Sequence, residues 1–90
     1  MKIWKLTVLD EDTKDWDLST YKGDLIVRAE TEHKARMQAT NEFGIAAQAK
    51  PGQPTRINPW SQKDVVGCDQ YSGSEFSREG EPSVLKKLGK

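Results

Sequence analysis

The chain is poor in the two residue types on which most zinc sites and thiol-dependent active sites depend. Its 90 residues include one cysteine, Cys68, and one histidine, His33. No disulfide can form within the chain, and a structural zinc site, which draws four ligands mainly from Cys and His, is not predicted. A Cys–His catalytic pair would have to join these two residues. The simpler interpretation is a small apolar thiol on a strand and an exposed histidine in the first turn of a helix.

Long apolar runs are also missing. The segment MKIWKLTVLDED has Lys5 within its apolar run and acidic residues directly after it, whereas a signal peptide needs a longer uninterrupted apolar core. No run approaches the roughly 20 apolar residues of a membrane helix. We therefore expect a soluble, cytoplasmic protein with no membrane partner, and the single cysteine suits a reducing compartment.

The chain has no excess charge of either sign. Its 14 basic residues equal its 14 acidic residues, whereas a dedicated nucleic-acid binder usually carries a basic excess that offsets phosphate repulsion. Nucleic-acid binding is kept as an alternative, in which Arg28, Arg36 and Arg56 contact phosphates and Trp60 stacks on bases. Glutamates in the same segments favour a solvated face of mixed charge instead.

The common sequence signatures of cofactor and metal sites are missing as well. No Gly-rich loop has Walker-A or dinucleotide-binding spacing between a strand and a helix. The acidic stretch at residues 10–17 does not match a calcium loop, because a register that begins at Asp10 puts Asp15 where a glycine is required. We interpret this stretch as a solvated acidic loop, with loose cation binding as the alternative. We predict no catalytic residue, no cofactor and no metal site.

Hydrophobic periodicity predicts two strands and a helix in the first half of the chain. KIWKLTVLD alternates, with Trp4 and Leu6 on one face, as is typical of a β-strand. DLIVRAE alternates in the same way, and we expect it to pair antiparallel with the first strand. Thr31 then provides a good helix N-cap, and an apolar residue recurs every four positions from Ala35 to Phe43, which indicates one narrow apolar stripe.

The second half of the chain is less regular. Prolines and a glycine in AAQAKPGQPTRINP oppose regular structure, and DVVGCDQY then predicts a third strand. PSVLKKLGK predicts a short C-terminal helix with a proline in its first turn. Its apolar edge would be formed by Val84, Leu85 and Leu88.

These elements together predict an α+β fold class. We expect a small antiparallel sheet with one main helix packed on a face, in the order β-β-α-β, followed by the short C-terminal helix. Residues 1–71 would form the single small α+β domain. Residues 72–90 would form a flexible loop and that C-terminal helix.

Three aromatic residues lie in or beside the predicted loops. Trp16 and Tyr21 interrupt the polar connection between the first two strands, and Trp60 follows the proline-rich break. Trp and Tyr dominate binding hot spots because they bury a large area at a low cost in conformational entropy. We predict that Trp16, Tyr21 and Trp60 bind a partner. The alternative is that a domain with a thin core needs these side chains for packing.

Several short motifs, taken together, resemble a known set of sequences. They are W-x-L at Trp4 and Leu6, YKG at 21–23, VRAETEHKAR at 27–36, PW at 59–60 and the lone Cys68. In this arrangement, which covers most of residues 1–70, the chain resembles short, uncharacterised bacterial and phage-associated proteins. The resemblance implies a bacterial or mobile-element origin, and it carries over no catalytic residue.

The sequence supports one leading hypothesis and two alternatives. The leading hypothesis is a small non-enzymatic protein-interaction module that binds an unidentified protein partner, with a regulatory role as one option. The first alternative is a nucleic-acid-binding protein. The second is a small enzyme that uses Cys68 as its nucleophile.

Overall fold

The computed structural model describes residues 1–45 and 58–89 and has an α+β fold. In these ranges four strands form one antiparallel sheet: β1 (Lys2–Val8), β2 (Asp24–Ala29), β3 (Val66–Gln70) and β4 (Ser83–Gly89). The same ranges contain one main helix, α1 (Glu32–Phe43), and two short 3₁₀ helices, η1 (Lys14–Leu18) and η2 (Pro59–Ser61). The predicted fold class, a small antiparallel sheet with one main helix, is confirmed.

The sheet has the strand order β3-β1-β2-β4, so β1 and β2 form its centre. β1 and β2 pair antiparallel as predicted, with Trp4 opposite Val27 and Leu6 opposite Leu25. β3 pairs antiparallel with the other side of β1, where Cys68 lies opposite Leu6. Side chains alternate between the two faces of a strand, so Leu6, Leu25, Val27 and Cys68 share the face that α1 covers.

α1 begins where the sequence predicts. The hydroxyl of Thr31 caps the helix by accepting a hydrogen bond from the backbone N–H of Lys34 at 3.2 Å. Ala35, Ala39 and Phe43 are buried in the core beneath the helix, and the two small alanines let the helix lie close to the sheet. No helix in the described ranges is long and apolar enough to cross a membrane.

The C-terminal segment is a strand, and the predicted short C-terminal helix is wrong. β4 pairs antiparallel with β2, with Val84 opposite Val27, and Val84 packs against the core. A helix of this length is marginal in water, whereas a strand satisfies backbone groups that β2 would otherwise expose along its edge. The observed order is β-β-α-β-β, and residues 83–89 belong to the sheet.

The connection from β3 to β4 spans the width of the sheet, because these strands form its opposite edges. Arg28 of β2 anchors this connection on the sheet face away from α1. Its Nε donates to the carbonyl of Glu81 at 2.8 Å, and its Nη1 donates to the carbonyl of Ser77 at 3.1 Å. Gly80 has a φ of 117°, and a Cβ there would lie 2.8 Å from the guanidinium. Glycine at this position therefore permits both the turn and the contact.

Arg36 is the one charged side chain that is buried in the described part of the chain, with 7% of its surface exposed. Its Nη1 donates to the carbonyl oxygens of Val66 at 2.7 Å and Trp60 at 3.2 Å. Its Nε donates to the carboxylate of Glu32 at 3.0 Å. A single side chain thus connects α1 to η2 and to β3.

Replacing Arg36 by methionine is expected to lower the free energy of unfolding by about 3 kcal/mol, because two buried carbonyls lose a charged donor. Lys34→Met is the matched control. Lys34 of the same helix forms an ion pair of the same four-residue spacing with Glu30, which precedes the helix, but these side chains are 55% and 57% exposed. The control should change the stability by less than about 0.5 kcal/mol. Urea unfolding followed by circular dichroism measures both variants, and equal losses would contradict the structural role of Arg36.

Candidate functional site

The three aromatic residues predicted to bind a partner lie together, but Trp16 and Trp60 lie in the core and Tyr21 packs against it. The rings of Trp16 and Trp60 meet edge to face with centroids 5.3 Å apart, and the Tyr21 ring stacks parallel to Trp60 at 6.4 Å. Trp60 is fully buried, Trp16 is 7% exposed and Tyr21 is half-buried. Most of their area is therefore used in packing within the chain.

The polar atoms of these aromatic side chains are also bonded within the chain. The indole N–H of Trp16 donates to the carbonyl of Asp10 at 2.7 Å, and that of Trp60 donates to the hydroxyl of Ser19 at 3.0 Å. The Tyr21 hydroxyl is bonded to backbone atoms of β2 and β4. Such bonds are expected for buried Trp and Tyr. Partner binding by Trp16, Tyr21 and Trp60 stays a prediction that these contacts do not support.

The residues of the nucleic-acid alternative are largely engaged in internal contacts. Arg28 binds the carbonyls of the β3–β4 connection, and Arg36 binds the carbonyls of η2 and β3. Trp60 has no exposed ring face on which a base could stack. Arg56 lies outside the described residues. Arg28, Arg36 and Trp60 therefore do not together present the combination of cations and an aromatic ring that grips single strands.

Cys68 does not have the environment of a reactive thiol. It is half-buried on β3, and this burial raises the pKa of the thiol from 9.0 to about 11, although nearby Arg36 acts in the opposite direction. The thiol is therefore protonated at neutral pH, whereas nucleophilic cysteines have a lowered pKa. His33 is exposed in the first turn of α1, as its simpler interpretation predicts.

The acidic stretch at residues 10–17 is ordered by local and long-range hydrogen bonds. The backbone N–H of Asp12 donates to the carboxylate of Asp10 at 3.0 Å, and the side chain of Gln62 donates to the carboxylate of Asp15 at 2.8 Å. Within residues 1–45 and 58–89, no group of three or more His, Cys, Asp and Glu side chains could hold a metal ion. Residues 10–17 therefore do not form a cluster of ligands for a cation with any other described residue.

A groove with a volume of about 630 Å³ runs between α1 and the turn that follows η2. We call it the α1–η2 groove. Its helix wall consists of two rows of side chains along α1. Within each row, successive residues are four positions apart in the sequence and therefore lie on one face of the helix. Its other wall is formed by Ser61 at the end of η2 and by Lys63 in the turn that follows. The lining residues are Glu32, Arg36 and Thr40 in one row, His33, Met37 and Asn41 in the other, and Ser61 and Lys63 opposite.

Met37 is the apolar centre of the helix row that faces solvent. It exposes 48% of its surface, and it stands between His33 and Asn41, one helical turn from each. The flexible thioether of Met adapts to different partners and is common at promiscuous binding surfaces, so an exposed Met on a groove wall suits a contact site. Periodicity did not identify Met37 as a candidate, because it lies outside the apolar stripe from Ala35 to Phe43. The sequence feature that could have identified it is the position of a Met on the otherwise polar face of α1.

Besides the Glu32–Arg36 ion pair, the polar side chains of the described residues that line the α1–η2 groove fall into two classes. The hydroxyls of Thr40 and Ser61 donate to backbone carbonyls at 3.0 Å and 2.9 Å, so they serve the fold. The side chains of His33, Asn41 and Lys63 are exposed, and nothing in the described ranges hydrogen-bonds or ion-pairs with them. These three side chains are the ones that a bound molecule could contact without displacing an internal partner.

Comparison with known proteins adds no assignment to this geometry. No protein-family model, no curated protein and no solved structure matches the chain. The bacterial or mobile-element origin implied by the sequence motifs and the cytoplasmic location both stay predictions.

The Cys68 thiol is expected to react with iodoacetamide at neutral pH about 100-fold more slowly than a model thiol, since a pKa raised from 9.0 to about 11 reduces the thiolate fraction by about that factor. Urea-unfolded protein is the control and should react at the model rate. A folded rate equal to the model rate would contradict the burial of Cys68, and only a folded rate above the model rate would favour the enzyme alternative.

The same pKa shift predicts a dependence of stability on pH. The thiolate forms first in the unfolded chain, so the contribution of Cys68 to stability is lost as the pH rises from 9.0 towards about 11. Urea unfolding across this range measures the loss, and a Cys68→Ala variant should show a smaller decline. An identical decline in the variant would assign the effect to other groups.

Proposed function

We propose that the chain is a small, non-enzymatic protein-interaction module that binds a segment of a partner protein in the α1–η2 groove. The observation that supports this most directly is an open groove of about 630 Å³ with the 48% exposed Met37 on its wall. Ligand sites commonly have volumes of about 300–1,000 Å³, with apolar walls and a few polar groups that fix orientation. His33, Asn41 and Lys63 would be those polar groups.

The two walls of the α1–η2 groove are held relative to each other before any partner arrives. Arg36 extends from the helix wall and binds the carbonyl of Trp60 in η2, next to the turn that forms the other wall. A preformed site loses less conformational entropy when it binds. This rigidity favours recognition of a partner segment by a fixed surface.

The state of Cys68 supports a non-enzymatic role. Its raised pKa opposes thiolate chemistry at neutral pH, and His33 lies in the groove where it can serve as a hydrogen-bonding group. The sequence-based hypothesis put the contact surface at the aromatic cluster of Trp16, Tyr21 and Trp60. We put it at the α1–η2 groove instead, because most of that cluster is buried. A regulatory role remains one option for a module of this kind.

Capture of a partner by tagged protein from a bacterial lysate tests the location of the contact surface. Met37→Glu should abolish the specific capture, because it puts a charge where an apolar contact is proposed. Leu9→Glu is the matched control. It introduces the same charge at another exposed apolar residue, 60% exposed directly after β1, and it should leave capture unchanged. Circular dichroism verifies that both variants are folded.

Two results would contradict the proposal. One is a partner that is retained by Met37→Glu and lost with Leu9→Glu, which would place the contact surface elsewhere. The other is the absence of any protein whose capture depends on Met37.

A further inference from the structure

We infer that the α1–η2 groove takes a short, extended peptide segment that carries acidic side chains beside apolar ones. This inference rests on the proposed function and adds the chemistry of the partner. It depends on three properties of the groove: its length, the polar groups along its rim and its unbalanced charge.

The length of the helix wall suits a few residues of extended chain. His33 and Asn41 lie eight residues apart on α1, which corresponds to about 12 Å along a helix axis. An extended peptide advances about 3.3 Å per residue, so about four residues span the row from His33 to Asn41. Met37 lies at the middle of that span and would contact an apolar side chain of the peptide.

The exposed polar groups suit an extended backbone better than a helical one. The carboxamide of Asn41 offers both a donor and an acceptor, and the imidazole of His33 offers a second polar contact one turn beyond Met37. An extended peptide presents N–H and C=O groups that need partners, whereas a helix satisfies its own. Asn41 and His33 could therefore bind backbone groups at the two ends of the segment.

The charge of the α1–η2 groove favours an acidic ligand. Glu32 and Arg36 neutralise each other in an ion pair at 3.0 Å. Lys63 on the opposite wall is exposed, and the neighbouring Asp64 does not line the groove. Among the described residues that line the groove, the unbalanced charge is thus the positive charge of Lys63. A peptide carboxylate next to the apolar side chain that contacts Met37 would complement this positive charge. The same charge would disfavour a basic segment.

Titration of the isotope-labelled full chain with three blocked hexapeptides, monitored by NMR, tests the inference. The probes are Gly-Leu-Glu-Leu-Glu-Gly, its basic counterpart with Lys in place of Glu, and its polar counterpart with Ser in place of Leu. The acidic apolar peptide is expected to shift the amide signals of His33, Met37 and Asn41 with a Kd on the order of 1 mM. The other two should shift them much less at the same concentration.

Two charge reversals sharpen the test. Lys63→Glu should weaken binding of the acidic apolar peptide about threefold or more, as expected for loss of an exposed ion pair. Lys86→Glu changes the net charge equally on exposed β4, outside the α1–η2 groove, and should leave the Kd unchanged. An equal loss in both variants would overturn the inference, because it would assign the preference to net charge.

The two levels of the proposal fail in different ways. If the basic peptide shifts the groove signals as strongly as the acidic one, the inference about an acidic segment is wrong and the groove remains a peptide-binding site. If none of the three peptides shifts the signals of His33, Met37 and Asn41, the inference is wrong and the proposed use of the α1–η2 groove is contradicted with it.

Discussion

The burial of one arginine is the constraint on which the arrangement of this structure depends. The guanidinium of Arg36 needs hydrogen-bond acceptors because it is removed from water, and it finds them in the carbonyls of Trp60 and Val66. That contact holds η2 against α1 and places the Trp60 ring beside Trp16 in the core. It also sets the separation of the two walls of the α1–η2 groove. Packing and the candidate site therefore depend on the same side chain.

Elements that local periodicity determines could be predicted from the sequence. The alternation in β1 and β2, the Thr31 cap and the apolar stripe of α1 all follow from the geometry of a single element. β4 could not be predicted in this way. Val84, Leu85 and Leu88 fit a helical spacing as well as they fit a strand. The open edge of β2, which lies far away in the sequence, decides between the two states.

The candidate site depends on long-range contacts even more than β4 does. The polar and proline-rich segments around Trp16 and Trp60 left both partner binding and packing open, and η1 and η2 fold these side chains inwards. Burial of Arg36 was not predictable either, since arginine is rarely buried without a partner. For the α1–η2 groove, the sequence offered only Met37 on a polar helix face. Lys63 reaches the opposite wall from a separate part of the chain.

Hydroxyl-radical footprinting read by mass spectrometry tests most directly the division between a buried aromatic cluster and an accessible α1–η2 groove. We expect rapid oxidation of Met37, comparable to that of Met1, which is 40% exposed. Trp16 and Trp60 should be protected in the folded protein and should react once urea unfolds it. Rapid oxidation of Trp16 and Trp60 in the folded protein, with Met37 protected, would contradict this division and restore the aromatic residues as the contact surface.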